Sequence, residues 1–138
     1  MSEQNSAVIG QPFPTINASI LLLASDPLLR SVVKETLEAK GYVVIATGDL
    51  GTAVVRLKDI APDLLIVRTY VEGMPGHDAA AYLRTKSPRM RVMIMGGLLD
   101  DDRLRLRESL AGFDVFPKPY STGEFLEKVQ DVLAAPAH

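Results

Sequence analysis

The chain has no cysteine and no tryptophan. The first absence excludes disulfides, thiol catalysis and thiolate metal sites, and is compatible with a reducing, cytoplasmic setting. With 6% aromatic residues and no Trp, a base-stacking platform for single-stranded nucleic acid is not expected. Charge of one sign is also missing: 15 Lys and Arg stand against 17 Asp and Glu, a net charge of -2. That balance gives no electrostatic case for nucleic acid. No apolar run approaches the roughly 18 residues that would span a bilayer. The opening MSEQNSAVIGQPFPTINA lacks a basic region followed by an apolar stretch, so it does not read as a secretory signal. His77 and His138 have no partners at metal-ligand spacing and read as lone surface histidines, and no glycine-rich phosphate loop occurs.

What remains is an ordinary globular balance, 47% hydrophobic and 23% charged over 138 residues, which fits one domain. Residues 1–18 are polar and aperiodic and read as a flexible arm. From Ser19 the pattern is regular. SILLLA reads as a buried strand, and Asp26-Pro27 then opens a helix: Asp accepts orphan N–H groups, and Pro fits the first turn. Leu29, Val32, Val33 and Leu37 recur at helical spacing, and Gly41 supplies the stop. YVVIA, 42–46, is the second strand, and 49 to about 60 the second helix, on Leu50, Ala53, Val54 and Leu57. PDLLIVRTYVEGMPG gives a third strand ending at Arg68 and a loop with Gly73, Pro75 and Gly76; a helix follows over 77–86. VMIM, 92–95, is the fourth strand, with Met93 and Met95 as core. A helix over 100–111 starts on Asp100, Asp101 and Asp102, as the helix dipole prefers, and these acids read as a solvated helix start rather than a cation site. DVF, 114–116, is the last strand, and Ser121-x-x-Glu124 is a capping box for the final helix. Strict strand–helix alternation specifies an α/β, doubly wound parallel sheet with helices on both faces. The domain covers 19–134, followed by a tail at 135–138, and no output domain is expected.

The features ILLLASDPLLR, GYVVIATGD, PDLLIV with its Gly/Pro loop, RVMIMGG and Phe116-Pro117-Lys118-Pro119-Tyr120 occur in this order. In them the chain resembles the receiver domain of two-component response regulators, over roughly 19–134. The resemblance implies a flavodoxin-like five-stranded sheet of order 2-1-3-4-5. It also implies a chemistry. In the family an Asp ending the third strand accepts a phosphoryl group from a histidine kinase. Two acids after the first strand help hold Mg²⁺, a Thr or Ser after the fourth bonds the phosphoryl, and a Lys after the fifth pairs with it.

Carried over residue by residue, that chemistry fails. The phosphoacceptor position falls on Arg68, a permanently charged, donor-only side chain and no nucleophile. The acidic pair falls on Ala24 and Ser25, with Asp26 surviving next door; the hydroxyl position falls on Gly96; only Lys118 is retained. Mg²⁺ wants hard oxygen ligands, and two cations would repel it by several kcal/mol at an effective dielectric of about 20. The expectation is a degenerate, stand-alone pseudo-receiver: not an enzyme, with no cofactor, no metal and Mg²⁺ binding lost. It would act through protein–protein interaction in a bacterial two-component (phosphorelay) pathway.

Arg68 is expected to act as an internal counter-ion replacing Mg²⁺, pairing with Asp26 and Glu72, while Asp26 is first of all a helix cap. Ser25 and Thr69 have no obvious base beside them, so neither reads as a substitute phosphorylation site. Receivers signal and often dimerise through the face of the fourth helix, fifth strand and fifth helix. Here that face would hold Leu98, Leu99, Arg103, Leu106, Arg107, Pro117, Tyr120 and Glu124. The expected partners are signalling proteins or a second copy through this face, with no nucleic acid and no membrane. Two alternatives stay open: an unorthodox phosphorylated regulator, or an anion- or nucleotide-binding module using Arg68 and Lys118.

Overall fold

The structure, a computed structural model, describes residues 18–95, 114–116 and 121–135. In chain order the elements are β1 (Ser19–Leu23), α1 (Pro27–Glu38), β2 (Val43–Thr47), α2 (Leu50–Arg56), β3 (Leu64–Arg68), β4 (Tyr70–Val71), β5 (Met74–Pro75), α3 (Gly76–Lys86), β6 (Arg91–Met95), β7 (Asp114–Phe116) and a last helix, here α4 (Thr122–Ala134). Five strands form one parallel sheet in the order β2-β1-β3-β6-β7.

The central strands carry apolar side chains at every position because both faces are covered. In β1 and β3, Ile20 to Leu23 and Leu64 to Val67 are all buried. Period-two alternation divides them between two cores. Ile20, Leu22, Leu64, Ile66, Met93 and Met95 pack under α1 and α4, with Val33, Leu37, Phe125 and Val129. Leu21, Leu23, Leu65, Val67, Val92 and Ile94 pack under α2 and α3, with Ala53, Ala79, Ala80 and Leu83. Burying each such Leu or Ile contributes about 1.5–3 kcal/mol, an upper figure, which makes these two strands the centre of stability. Met93 and Met95 are core residues, as expected.

The helix ends follow the local chemistry. Asp26 Oδ1 accepts the Leu28 and Leu29 N–H groups at 3.0 and 3.4 Å, Pro27 opens the first turn, and Gly41 takes φ 95 beyond the end of α1. The capping box of α4 is complete: Ser121 Oγ accepts from Glu124 N and Glu124 Oε1 from Ser121 N. At the amino-terminal edge of the sheet, Asp63 ties three strands together. Its carboxylate accepts the Ser19 N–H at 2.8 Å, its own N–H donates to Ser19 O, and its carbonyl accepts from Arg91 N.

Two expectations are corrected. The second helix stops at Arg56 instead of reaching 60, because Lys58 and Asp59 donate to Val55 and Arg56, three residues back, and tighten the chain into a turn. The segment after β3 is not an open loop: β4 and β5 pair antiparallel, Tyr70 opposite Pro75 and Val71 opposite Met74. Its two-residue connection, Glu72-Gly73, has φ 53 and φ 80, the positive pair that a primed hairpin turn demands. The expected helix over 100–111 lies outside the described residues.

Candidate functional site

Ligands of open α/β sheets bind beyond the carboxyl ends of the strands, where neighbouring connections diverge. Here that point lies between β1 and β3, since β1 continues to β2 on one side and β3 neighbours β6 on the other. Arg68 is the last residue of β3 and stands opposite Met95 of β6. Leu23 pairs with Val67, so Ala24, the next residue, comes level with Arg68 at the strand end. By the alternation of β3, Arg68 shares the α1/α4 face with Leu64 and Ile66.

The expected pairing of Arg68 with Asp26 and Glu72 is not found. Asp26 is turned onto its own helix. Glu72 Oε1 accepts the Leu50 N–H at 3.1 Å and so caps α2 from the hairpin. Arg68 has no hydrogen bond or ion pair from its guanidinium among the described residues, and its Nε is buried without a partner. Both expected carboxylates serve orphan helix N–H groups instead.

Around Ala24 the structure adds a residue that the sequence reading missed. Arg30, on the first turn of α1, reaches back over the strand end and donates Nη1 to Ala24 O at 2.7 Å. It lies against Gly48, where a Cβ would come within 2.7 Å of that same nitrogen. The available signal was an arginine four residues after the cap, hence on the same helix face as Asp26, facing a glycine beyond β2. Ala24 is buried and Ser25 exposed.

Thr69 is buried and donates Oγ1 to Met95 O at 3.1 Å. His77 is corrected from a surface residue: its side chain is 15% exposed and Nε2 lies 3.3 Å from Asp78 Oδ1. Two acids flank the start of α2, Asp49 and Glu72; the backbone hydrogen bond from Thr52 holds the Asp49 carboxyl below its ordinary range. Glu124 is exposed and serves the capping box. Gly96, Leu98, Leu99, Arg103, Leu106, Arg107, Pro117, Lys118 and Tyr120 lie outside the described residues.

Beside the strand ends, between α1 and α4, runs an apolar crevice of about 130 Å³ lined by Leu29, Val32, Val33, Thr36, Met95, Thr122 and Phe125. Among the described residues no group of three or more acids or histidines is placed to hold a metal, and no helix is long and apolar enough to cross a membrane. Chemically the described edge is donor-rich: it can hold an anion or a carbonyl, and it offers no carboxylate at the end of β3 to accept a group.

Residues 20–130 match the family model of the response regulator receiver domain. The chain belongs to that family. Among its relatives, the transcriptional regulatory protein CpxR of Escherichia coli K12 is 31% identical over 114 residues, 83% of this chain and 48% of that protein. The probable transcriptional regulatory protein TcrX of Mycobacterium tuberculosis is 24% identical over 125 residues, 90% of this chain and 51% of the relative. The chain thus spans about half the length of these curated relatives. Among solved structures, a response regulator from Thermotoga maritima superposes with a TM-score of 0.75 at 22% identity, covering 86% of this chain and 99% of its own. The non-phosphorylated HemR receiver domain from Leptospira biflexa follows at 0.74 and 25%, covering 86% and 96%. The fold of this receiver is therefore flavodoxin-like.

Proposed function

We propose that this receiver domain is a pseudo-receiver, a protein-interaction module of a two-component-type pathway that works without phosphorylation of its own. The observation that carries this reading is Arg68 at the carboxyl end of β3, where receivers place their phosphoacceptor Asp. Ala24 and Ser25 follow β1 where the metal-holding acids would stand, and the Arg30 guanidinium rests on Ala24 O. A divalent cation placed there would meet guanidinium groups before it met carboxylates, and a phosphoryl group would find no nucleophile. Arg68 instead gives the edge a permanent charge, independent of kinase state. Output then depends on surface contacts with signalling partners rather than on a covalent switch. CpxR and TcrX are transcriptional regulators by name, which supports a signalling context for the module.

The test is a pair of amide NMR spectra, with Mg²⁺ alone and with Mg²⁺ plus beryllofluoride as phosphoryl mimic. The proposal expects both to superpose on the spectrum of the free protein around Ala24, Arg68 and Thr69. A concerted, saturable shift of these residues with beryllofluoride would sink it.

A further inference from the structure

Two independent observations meet at one rung of the sheet. The first is a buried donor without an acceptor: Nε of Arg68 makes no hydrogen bond, and its guanidinium has no ion pair among the described residues. Such a group is costly to bury unless something answers it. The second is the apolar crevice between α1 and α4. Met95 forms part of its wall and is also the register partner of Arg68. Arg68 shares the α1/α4 face of the sheet with that crevice by the alternation of β3. Arg68 does not line the crevice itself, but it stands one strand away from the Met95 wall, on the same face and beside the switch point where ligands of this architecture bind.

We propose that this edge is a binding site for a small organic acid, with its carboxylate on Arg68 and its apolar body in the α1–α4 crevice. The ligand class follows from three considerations. A planar guanidinium matches a carboxylate through two parallel N–H bonds. One negative charge neutralises one guanidinium, and that of Arg68 has no ion pair among the described residues. Finally, a volume of about 130 Å³ suits a body near the size of benzene, which an apolar cavity of about 150 Å³ accommodates. Such a ligand would bridge α1, β3 and α4, and would give a domain without phosphoryl chemistry an input of its own.

The test is an amide NMR titration of the whole chain with benzoate and hexanoate, and in parallel with benzyl alcohol and inorganic phosphate. Saturable shifts are expected at Val33, Thr36, Arg68, Thr69, Met95 and Phe125 with the two acids, with Kd below about 10 mM. Arg68→Gln should raise Kd at least about tenfold, and Arg68→Lys by less, since the charge stays while the fork is lost. Val32→Phe, at a half-exposed lining position, should block the crevice while leaving the fold intact. The absence of saturable shifts with either acid overturns the site. Equal binding of benzyl alcohol would reduce it to an apolar void, and phosphate binding in preference to benzoate would make it a plain anion site; either overturns the organic-acid assignment. Because no phosphoryl mimic is used, this outcome is independent of the beryllofluoride experiment.

Discussion

A Cβ on Gly76 would lie 1.9 Å from the carbonyl oxygen of Arg68. The Gly76 N–H already donates to Thr69 O at 2.6 Å, so the first residue of α3 is pressed against the end of β3 with no side chain between them. Backbone cannot yield as a flexible side chain would. Gly76→Ala should therefore destabilise the domain by about 3 kcal/mol, the upper range for overpacking, as read by urea unfolding. The hairpin amides of residues 70–74 should exchange faster in the same variant.

Arg68 itself behaves in the opposite way. A partly buried guanidinium with no ion pair among the described residues carries a desolvation cost without a matching attraction, so Arg68→Met should be neutral or stabilising by up to about 1 kcal/mol. Thermal unfolding with and without the substitution checks this. A loss of more than about 1 kcal/mol would mean that the guanidinium finds an acceptor in solution.

Glu72 holds φ 53, unusual for a residue with a side chain, while its carboxylate caps α2 through the Leu50 N–H. Glu72→Ala keeps the strain and loses the cap, which should cost about 1 kcal/mol. Glu72→Gly loses the cap but relieves the positive φ, so it should cost several tenths less. The order of the two variants in denaturant midpoint, with faster exchange at Leu50 in both, separates turn strain from capping.

Asp49 provides the acid dependence. Hydrogen bonds from Thr52 place its folded-state pKa below the ordinary 3.8. A depressed carboxylate pKa contributes stability that is fully present above the unfolded value and is lost as pH falls through the folded one. Carboxyl NMR should show Asp49 titrating below 3.8, and Asp49→Asn should flatten the stability curve in that window relative to the parent.

The strands and the caps were legible because single-residue chemistry decides them. Leu64 to Val67 can only be a strand covered on both faces; Asp26-Pro27 and Ser121-x-x-Glu124 write their own helix starts. The hairpin was hidden because Glu72 is a poor advertisement for a positive φ, and its reward lies 22 residues away on Leu50. The Arg68 pairing was misjudged for a related reason. Asp26 and Glu72 are near in charge bookkeeping, yet backbone N–H groups at two helix starts compete for them and win. Arg30 was missed because its contact is with a main-chain oxygen, which no side-chain pattern announces.

The grip of Arg30 on Ala24 O makes the edge behave as a ratchet. On the pseudo-receiver reading proposed above, exchanging Arg68 for Asp alone would put a carboxylate level with Ala24, at an edge that already carries the Arg30 cation. Replacing Ala24 or Ser25 alone by an acid meets the same neighbour. On that reading no single exchange would suffice to rebuild a metal-holding pocket. The changes would have to come together on β1, α1 and β3, which makes the proposed state easier to enter than to leave.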